Sequence, residues 1–549
     1  MRRGLLAHKN PGGHCAAVVF AQVILCAGLF SLGDASSTVQ FDGKSWWEHV
    51  KVLAADNMEG RDTGSEGLRK AQAYVIEQLK AAGLEPAGVH GYFQSIKFIS
   101  RKIDETESSL ALVRDGKAEP LTLGEDAFFS TRVNLESVVE APLFFVGYGL
   151  RVPEMNYDDL AGLDLNGKIA VVFNGIPSNV PGPLASHYQA KRWKTLKAAG
   201  AVGIFLIRNP ASMDIPWSRM TVLRTRTDLA LVGSEFDETA GEKIAGEINP
   251  ERVDRFFAAS GHSFQEVLAL SKERKQLPRF PLNVLLHARA KMITGQLECA
   301  NVIASLPGSD AKLKSEYVVL SAHLDHLGIG EPINGDRTYH GAMDNAAGVA
   351  VLLDVASALK KAAHAPRRSL LFVFFTGEEK GKLGSEYFTA HPTLPLKSMV
   401  ANINIDMFLP LYPMKAVTVY GLNESDLGDD IRQVAQQDHL GVEDDPEPQR
   451  YSLVRSDQYN FILHGIPALT MKVGYKPGSP EDKIFHDWLH RRYHAPSDDL
   501  NQPVDIGAAG TYEEVISQLM MKVANDPGRR NWKANSFFRR YAQSSGGEE

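Results

Sequence analysis

The clearest chemical signal in the sequence is a set of five short segments that carry imidazole and carboxylate side chains. In the first segment His323 and Asp325 are two residues apart, so on an extended chain they project to the same side. Such a pair can supply a metal-binding imidazole and a carboxylate that orients it. Alone, a histidine near a strand end is more typical of a hydrogen-bonded scaffold. The segment therefore gains its meaning from the other four.

Two further segments offer carboxylates. Asp344 stands in a turn that opens a helix, where an aspartate usually caps the helix, although its two oxygens also suit a bridge between two metals. Glu378 and Glu379 are adjacent, and two adjacent glutamates at a sheet edge usually indicate only a solvated turn. Here adjacency permits a division of labour, in which Glu379 binds a metal while Glu378 takes a proton from water.

The last two segments add a carboxylate and an imidazole. Asp406 ends a buried apolar run, where an unpaired carboxylate is costly to desolvate and a cation is a natural partner. His494 is followed by Asp498, which is close enough to orient its imidazole. The whole set supplies two imidazoles, three carboxylate ligands and one spare carboxylate. It suits a pair of divalent ions, with zinc first and cobalt or manganese as possible substitutes.

Apolar periodicity predicts the elements that must position these residues. Near-continuous apolar runs predict strands that are buried on both faces of a mainly parallel sheet, at 317–322, 369–375 and 399–406. Helical spacing predicts helices at 46–55, 67–83, 348–361 and 426–438. In such sheets the ligand crevice lies beyond the carboxyl ends of the strands. The segments of His323, Glu378–Glu379 and Asp406 stand at the ends of these strands, so they are expected to meet there.

Composition and length indicate a soluble globular chain with more than one domain. Of its 549 residues 44% are apolar and 23% are charged, and the formal charge of -7 provides no basic field for nucleic acid. Short apolar strands with turns predict a separate, mostly-β insert at 141–281. The predicted divisions around the insert are the N-terminal part of the main domain (37–140), its main part (282–525) and a polar, frayed tail (526–549).

The first residues resemble an export signal. Arg2, Arg3 and Lys9 precede an apolar run at about 16–32 that is followed by small residues, which predicts a signal peptide at 1–36 and a periplasmic or secreted protein. The alternative is an uncleaved membrane anchor, since the run is nearly long enough to span a bilayer. After cleavage Cys299 is the one remaining cysteine, so no internal disulfide is expected.

In their order and intervals the five segments resemble the M28 family of metallopeptidases. The resemblance extends to the flanking segments, and the insert resembles a protease-associated (PA) domain at 147–149, 165–172 and 197–201. It implies a three-layer α/β/α fold of the phosphorylase/hydrolase-like type, with a mixed, mainly parallel central sheet and an inserted mostly-β PA domain. It also implies two zinc ions, with His323 and Asp406 on one, Glu379 and His494 on the other, and Asp344 bridging them.

The resemblance also implies catalytic roles. Glu378 would be the general base and then the proton donor to the leaving amine, and Asp325 would assist His323. The Asp344–Asn345 bond is a candidate for a cis peptide. Gln458 stands where many members carry a histidine that is not a ligand. Of the remaining histidines, interpreted as structural or surface residues, His326 is the first candidate for a pocket role.

The expected function is an exported exopeptidase that acts on the N-terminal residues of peptides. Members that bind an acidic C-terminal residue use clustered arginines near the metals. Arg455 is one candidate for such a role, whereas Arg491 and Arg492 are interpreted as solvated. In the absence of a clear cluster an aminopeptidase is favoured. A carboxypeptidase of the glutamate carboxypeptidase type, a glutaminyl cyclase-like transferase and a non-catalytic scaffold are the alternatives. The loop at 474–493 is expected to line or cover the pocket.

Overall fold

The computed structural model describes residues 41–544, so the signal peptide predicted at 1–36 lies outside the described residues. The strands, in chain order, are β1 Glu85–Pro86, β2 Phe93–Ile103, β3 Ser109–Arg114, β4 Lys117–Leu121, β5 Ala127–Phe129, β6 Val138–Phe145, β7 Arg151–Val152, β8 Tyr157–Asp158, β9 Ile169–Phe173, β10 Gly203–Ile207, β11 Asp228–Leu231, β12 Ile244–Ile248, β13 Phe280–Arg289, β14 Met292–Leu306, β15 Tyr317–His323, β16 Gly328–Ile333, β17 Asp336–Tyr339, β18 Ser369–Phe375, β19 Met399–Asn404, β20 Ala416–Tyr420, β21 Gly441–Glu443 and β22 Ala468–Val473.

The α-helices are α1 Lys44–Leu53, α2 Glu66–Ala81, α3 Gly182–Ala190, α4 Arg192–Ala198, α5 Trp217–Leu223, α6 Val253–Phe257, α7 Phe264–Lys272, α8 Ala347–Lys361, α9 Leu383–Ala390, α10 Leu427–Gln437, α11 Ser452–Arg455, α12 Gln458–Leu463, α13 Pro480–Arg492, α14 Ile506–Asn525 and α15 Arg539–Ser544. A π-type turn over Ala342–Ala346 precedes α8. The segment 474–493, expected to be a loop, is therefore mostly the helix α13.

The larger sheet has the order β11-β2-β14-β18-β15-β19-β22-β20-β21, with β1 paired to β14. Its centre, β18-β15-β19-β22, is parallel, while the pairs from β11 through β18 are antiparallel. This arrangement confirms the predicted mixed α/β class. The central strands are the predicted apolar runs, because a parallel strand covered on both faces buries every side chain.

Helices cover the larger sheet on both faces. In β15, Val318 and Leu320 pack in one hydrophobic cluster with α1, α8 and α14, whereas Val319 packs in a second cluster with α12. The segment Ala342–Lys361 is apolar and long enough to cross a bilayer, but 94% of its most apolar window lies inside the protein. Its hydrophobicity is that of a core helix, and the three-layer arrangement follows from these two faces.

A second sheet is built from the middle of the chain, in the order β4-β3-β13-β6-β9-β10-β12-β5. Its strands span residues 109–289, so they extend beyond the predicted insert at 141–281 on both sides. The strand β4 has little apolar signal in the sequence, because it is exposed along most of its length. One strand of this region, β11, pairs instead with β2 at the edge of the larger sheet. The second sheet is thus tied to the first.

The segment after Asp526, for which a frayed end is expected, packs on the folded protein over most of its described length. Phe538 is 0% exposed and Trp532 is 7% exposed. The guanidinium of Arg530 is 2.5 Å from the carboxylate of Asp430 in α10. The prediction of a frayed tail is wrong for these residues, because sparse aromatic anchors in a polar segment leave little periodic signal.

Replacing the most buried of these anchors tests whether the tail stabilises the fold. Phe538→Ala should lower the free energy of unfolding by about 3–5 kcal/mol, the usual cost of truncating a buried phenylalanine. Urea unfolding measures the change. Ile293→Ala, at a side chain that is 53% exposed, is the control and should change stability by less than about 0.5 kcal/mol. Equal stability of the two variants would show that the tail contributes nothing.

Candidate metal centre

The carboxyl ends of the parallel strands bring the predicted site residues to one edge of the larger sheet. His323 is the last residue of β15. Glu378 and Glu379 follow β18, and Asp406 follows β19. Because β18, β15 and β19 are parallel neighbours, these side chains leave the sheet on the same side.

Asp344 lies between the two predicted metal-binding histidines. Its Oδ1 is 3.3 Å from Nε2 of His323, and its Oδ2 is 3.3 Å from Nε2 of His494. The residue is 3% exposed. Since each carboxylate oxygen faces a different imidazole, Asp344 has the geometry of a bridging ligand. The Asp344–Asn345 peptide bond is cis, as the resemblance leads one to expect.

Each histidine also faces a second carboxylate. Nε2 of His323 is 3.4 Å from Oδ1 of Asp406, and Nε2 of His494 is 3.2 Å from Oε2 of Glu379. The structure thus gathers the five predicted ligands into two groups that share Asp344.

The separations of 3.2 to 3.4 Å between these donor atoms test whether the residues fit metal ions. Ligand atoms at about 2.0–2.1 Å from a tetrahedral ion lie roughly 3.3 Å from each other. The donors are imidazole nitrogens and carboxylate oxygens, which zinc, cobalt and manganese all accept. The residues therefore fit divalent cations.

The electrostatics of the centre favour positive charge at the same positions. Burial opposes protonation of His494, but Glu379 and Asp344 outweigh it and raise its pKa to about 9. Burial also opposes protonation of His323. Its contacts with Asp344 and Asp406 outweigh burial and raise the pKa of His323 well above its usual range. The carboxylates thus stabilise a cation wherever one can sit between them, which is the condition for binding metal.

Glu378 borders the cavity in front of the centre and is not paired with either imidazole. Burial, together with the nearby carboxylates of Asp406 and Asp457, raises the pKa of Glu378 well above its usual range. A carboxylate with a raised pKa accepts a proton from water at neutral pH more readily than an ordinary glutamate does. Its position and its proton affinity both suit a general base.

Asp325 contacts His323 differently from the expectation. Nδ1 of His323 is 3.1 Å from the main-chain oxygen of Asp325 and 4.0 Å from its carboxylate. That carboxylate accepts hydrogen bonds from the Thr63 hydroxyl at 3.0 Å and from the main-chain amides of Glu378 and Glu379 at 3.2 and 3.4 Å. Asp325 therefore assists His323 through its carbonyl and fixes the glutamate turn through its side chain.

Asp498 does not orient His494 as the spacing predicts. Its carboxylate accepts from the main-chain amides of Met343 and Asp344 at 2.9 and 3.0 Å, and from Nε2 of Gln502 at 2.7 Å. Proximity in sequence suggested an imidazole partner, but the chain turns after His494 so that Asp498 faces the loop of Asp344. It holds the bridging residue and not the histidine.

Two buried residues beyond the predicted ligands support the centre, and the first of them, Arg61, was not recognised from the sequence. Arg61 is 0% exposed and donates hydrogen bonds of 2.6 to 2.9 Å to four main-chain oxygens, those of Leu53, Leu324, His340 and Gly341. Burial lowers its pKa to about 10, although the carboxylates of the centre oppose the shift. Its charge is therefore a permanent part of the centre. Arg61 lies in a glycine-punctuated segment, 58–64, and its role depends on contacts with residues far along the chain.

His326 is the second of these residues. Its Nδ1 lies 2.7 Å from Oε1 of Glu379, while Oε2 of the same carboxylate faces His494. The ring is 0% exposed. His326 thus orients Glu379, and the same nitrogen lies 3.8 Å from Oδ2 of the bridging Asp344. It is the histidine predicted from the sequence as the first candidate for a pocket role, and the structure places it beside Glu379.

A cavity of about 640 Å³ opens in front of the centre, and both sheets contribute to its wall. Phe485 and Leu489 of α13 line it. Met220 and Leu223 of α5 also line it, from the second-sheet region, which is the segment 104–291 between β2 and β14. Thus part of the segment 474–493 does line the pocket, but as a helix.

Two other residues singled out from the sequence have contrasting positions. Arg455 lines the cavity, where its guanidinium is 2.8 Å from the carboxylate of Asp214 and 3.3 Å from the hydroxyl of Tyr493. Gln458 is 0% exposed and accepts a hydrogen bond of 2.9 Å from Asn404. Gln458 is therefore part of the packing behind the strand ends and is not a residue of the cavity wall.

Comparison with known proteins points to peptidases. Residues 301–520 match the family model described as peptidase family M28. Carboxypeptidase Q from Bos taurus is 31% identical over 361 residues, which is 65% of this chain and 64% of the relative. A probable leucine aminopeptidase 2 from Aspergillus oryzae is 29% identical over 243 residues, which is 40% of this chain and 46% of the relative. The chain thus matches less than two thirds of the length of either relative.

Among solved structures, an aminopeptidase from Aneurinibacillus sp. strain AM-1 superposes with a TM-score of 0.55 at 20% identity. The superposition covers 90% of this chain and 96% of that chain. It therefore includes more of this chain than the larger sheet and its helices. At this identity the likeness concerns the fold.

The position of Asp498 generates a test of the centre. Asp498→Asn should weaken metal binding by about 10–100-fold, the usual cost of losing a residue that orients a ligand, because an amide offers one oxygen to two main-chain donors. Titration calorimetry with Zn²⁺ as the probe measures the affinity. Asp499→Asn at the neighbouring residue is the matched control and should bind as the wild type does. Unchanged affinity in the first variant would contradict the role assigned to Asp498.

Proposed function

Since the chain belongs to peptidase family M28, we propose that it is a metal-dependent exopeptidase that releases N-terminal residues from peptides. The observation that carries the proposal is the position of Asp344, whose two oxygens each face one imidazole. In this proposal two zinc ions are bound, one by His323 and Asp406 and the other by Glu379 and His494, with Asp344 shared.

The chain's own residues provide the proton transfer. When bound, the ions supply Lewis acidity that polarises the scissile carbonyl and acidifies water. Glu378 removes the proton of the attacking water, because its carboxylate borders the cavity and is not engaged by an imidazole. It then gives that proton to the leaving amine nitrogen, which balances the hydrolysis of the peptide bond.

The shape and charge of the cavity support an exopeptidase. A volume of about 640 Å³ suits a ligand of small-molecule size and a short stretch of peptide. At its inner end the carboxylates of Glu378 and Glu379 favour a free ammonium group over a blocked amine. This arrangement supports recognition of the N-terminus.

A specific observation favours a carboxypeptidase as the second candidate. Lys472 lines the same cavity, and no carboxylate of residues 41–544 lies within ion-pairing distance of its ammonium group. Burial lowers the pKa of Lys472 to about 8, while attraction to Asp406 opposes the shift, so the group is still charged at neutral pH. A free cation beside the centre, with Arg455 nearby, would suit the C-terminal carboxylate of a peptide.

The remaining alternatives differ in metal content. A cyclase-like transferase with one zinc would leave the bridging position of Asp344 without purpose, and a non-catalytic scaffold would have no need of a full ligand set. The convergence of all five donor side chains supports a hydrolase over both. One equivalent of metal per chain would favour the cyclase-like activity.

We also propose that the protein is exported and that the second-sheet region is a PA-like domain. The basic start at Arg2 and Arg3, followed by the apolar run at about 16–32, supports export. Cys299 would then be the single cysteine of the mature chain, and it is reduced in the structure.

Replacing the proposed base tests the mechanism. Glu378→Gln should lower kcat by about 10²–10⁴-fold, because an amide accepts no proton from water. Peptide hydrolysis and metal content by atomic absorption are measured together, and the variant should retain the metal of the wild type. A chelator should abolish wild-type activity and added Zn²⁺ should restore it. The matched control, Glu331→Gln on the exposed β16–β17 hairpin, should behave as wild type, and full activity in Glu378→Gln would refute the assignment.

Blocked peptides decide which end is recognised. N-acetylation of a short peptide should stop its cleavage, whereas C-terminal amidation should leave kcat/KM within about threefold. On this proposal Lys472→Met should have little effect on either substrate. If the carboxypeptidase is correct, amidation and Lys472→Met should each raise KM roughly 30-fold or more, as expected for the loss of one partner of a buried charge pair, and N-acetylation should be tolerated.

A further inference from the structure

A helix of the second-sheet region, α5 (Trp217–Leu223), reaches the end of the helix that precedes His494. The contact is made by Arg219, which is 9% exposed. Its Nη1 donates to the main-chain oxygen of His490 at 2.8 Å, and its Nη2 donates to that of Leu489 at 3.0 Å. Both oxygens belong to the last turn of α13 (Pro480–Arg492).

These hydrogen bonds complete the end of α13. The last four carbonyls of an α-helix have no partner within the helix and need one elsewhere. The carbonyls of Arg491 and Arg492 are bound by Ser497 and Ala495, which follow His494 directly. The two carbonyls before them are bound by Arg219. A cation at this end is also favoured by the helix dipole.

The helix α5 is firmly attached to the second-sheet region. The indole nitrogen of Trp217 donates to the oxygen of Gly124 at 2.9 Å, and its ring lies 5.1 Å from that of Phe128. At the other end Arg224 forms two hydrogen bonds of 2.8 Å with Glu105. Because both ends are held, Arg219 presents its guanidinium at a position that the second-sheet region determines.

The end of α13 in turn determines where His494 lies. Only Tyr493 separates the helix from His494, which has a positive φ of 54°, so the chain leaves the helix in a sharp turn. The ring of Tyr493 packs 4.0 Å from the imidazole. A ligand must be held to within about 0.5 Å of its productive position, so movement of this helix end displaces the imidazole. By contrast, His323 is part of β15, in the middle of the larger sheet.

We propose that Arg219 is a positioning residue of the metal centre, through which the second-sheet region holds the end of α13 and thereby His494. The inference rests on the proposed two-ion function. It implies that the ion between His494 and Glu379 depends on the second-sheet region, whereas the ion between His323 and Asp406 does not.

Metal titration of the full-length, metal-stripped protein tests the inference. With Zn²⁺ as the probe in calorimetry, Arg219→Ala should weaken one of the two binding events at least tenfold and change the other by less than threefold. Arg219→Lys, which keeps the charge and one compact donor group, should recover part of the affinity. The matched control is Arg252→Ala, which removes an exposed arginine of the same region that pairs with Glu125 at 2.5 Å, and it should bind as the wild type does.

A double substitution shows whether the effect passes through His494. Adding Arg219→Ala to His494→Ala should change the affinity of the remaining ion by less than threefold, because the group that Arg219 positions is already gone. A further tenfold loss in the double variant, or equal weakening of both ions in the single variant, would overturn the inference as a general loss of structure.

The outcomes separate this inference from the proposed function. If the wild type binds fewer than two ions, the proposed function fails. If it binds two and Arg219→Ala retains both affinities, only the inference fails. Circular dichroism establishes that each variant is folded. Should Arg219→Ala not fold, Arg219→Lys decides, since weaker binding of a single ion supports the inference and wild-type binding of both refutes it.

Discussion

The centre depends on placing several carboxylates next to one another where little water reaches them. Asp344, Glu379 and Asp406 lie around two imidazoles, and like charges at a few ångströms repel strongly in such surroundings. Desolvating them adds a cost that only opposite charge can offset. This need for positive charge explains the raised pKa values of both imidazoles. It also explains why the site is suited to divalent cations.

The remaining features of the centre follow from the need to hold these charges in register. Asp325 and Asp498 perform equivalent tasks for two different turns. Each is a buried carboxylate that accepts the main-chain amides of two consecutive residues in a ligand-bearing turn, the glutamate turn in one case and the turn of Asp344 in the other. Because Asp325 and Asp498 bind main-chain amides, neither of them occupies the carboxylate oxygens of Asp344 or Glu379. Arg61 adds a fixed positive charge, and it donates its hydrogen bonds to main-chain carbonyl oxygens and not to the ligand side chains.

Most of the larger sheet could be predicted from the sequence because buried parallel strands are apolar along their whole length. The run predicted at 369–375 is β18, residue for residue. His323, Glu379 and Asp406 could be predicted because each stands at the end of such a run, and Asp344 because it opens a helix. His494 stands beside no strand and was predicted only from the resemblance of its segment to the family. The hydrogen-bond partners of Asp498 could not be predicted, because they depend on contact between the loop of Asp344 and the loop after His494, which are far apart in sequence. The same holds for His326, whose burial against Glu379 depends on the turn after β15, and for the tail, whose two aromatic anchors have no periodicity.

The end of a peptide that the proposed exopeptidase would recognise cannot be predicted from the sequence, for a related physical reason. The donors that do the chemistry come from one sheet edge and form short, recognisable segments. The charges that would select a terminus are scattered, with Lys472 on β22, Arg455 at the end of α11 and Arg226 just after α5 in the second-sheet region. Whether such a side chain is free to bind substrate depends on a partner from another region, as Asp214 shows for Arg455. The sequence motifs therefore predict hydrolysis. The specificity for one peptide end depends on the cavity between the larger sheet and the second-sheet region, because tertiary packing there decides which charged side chains are paired.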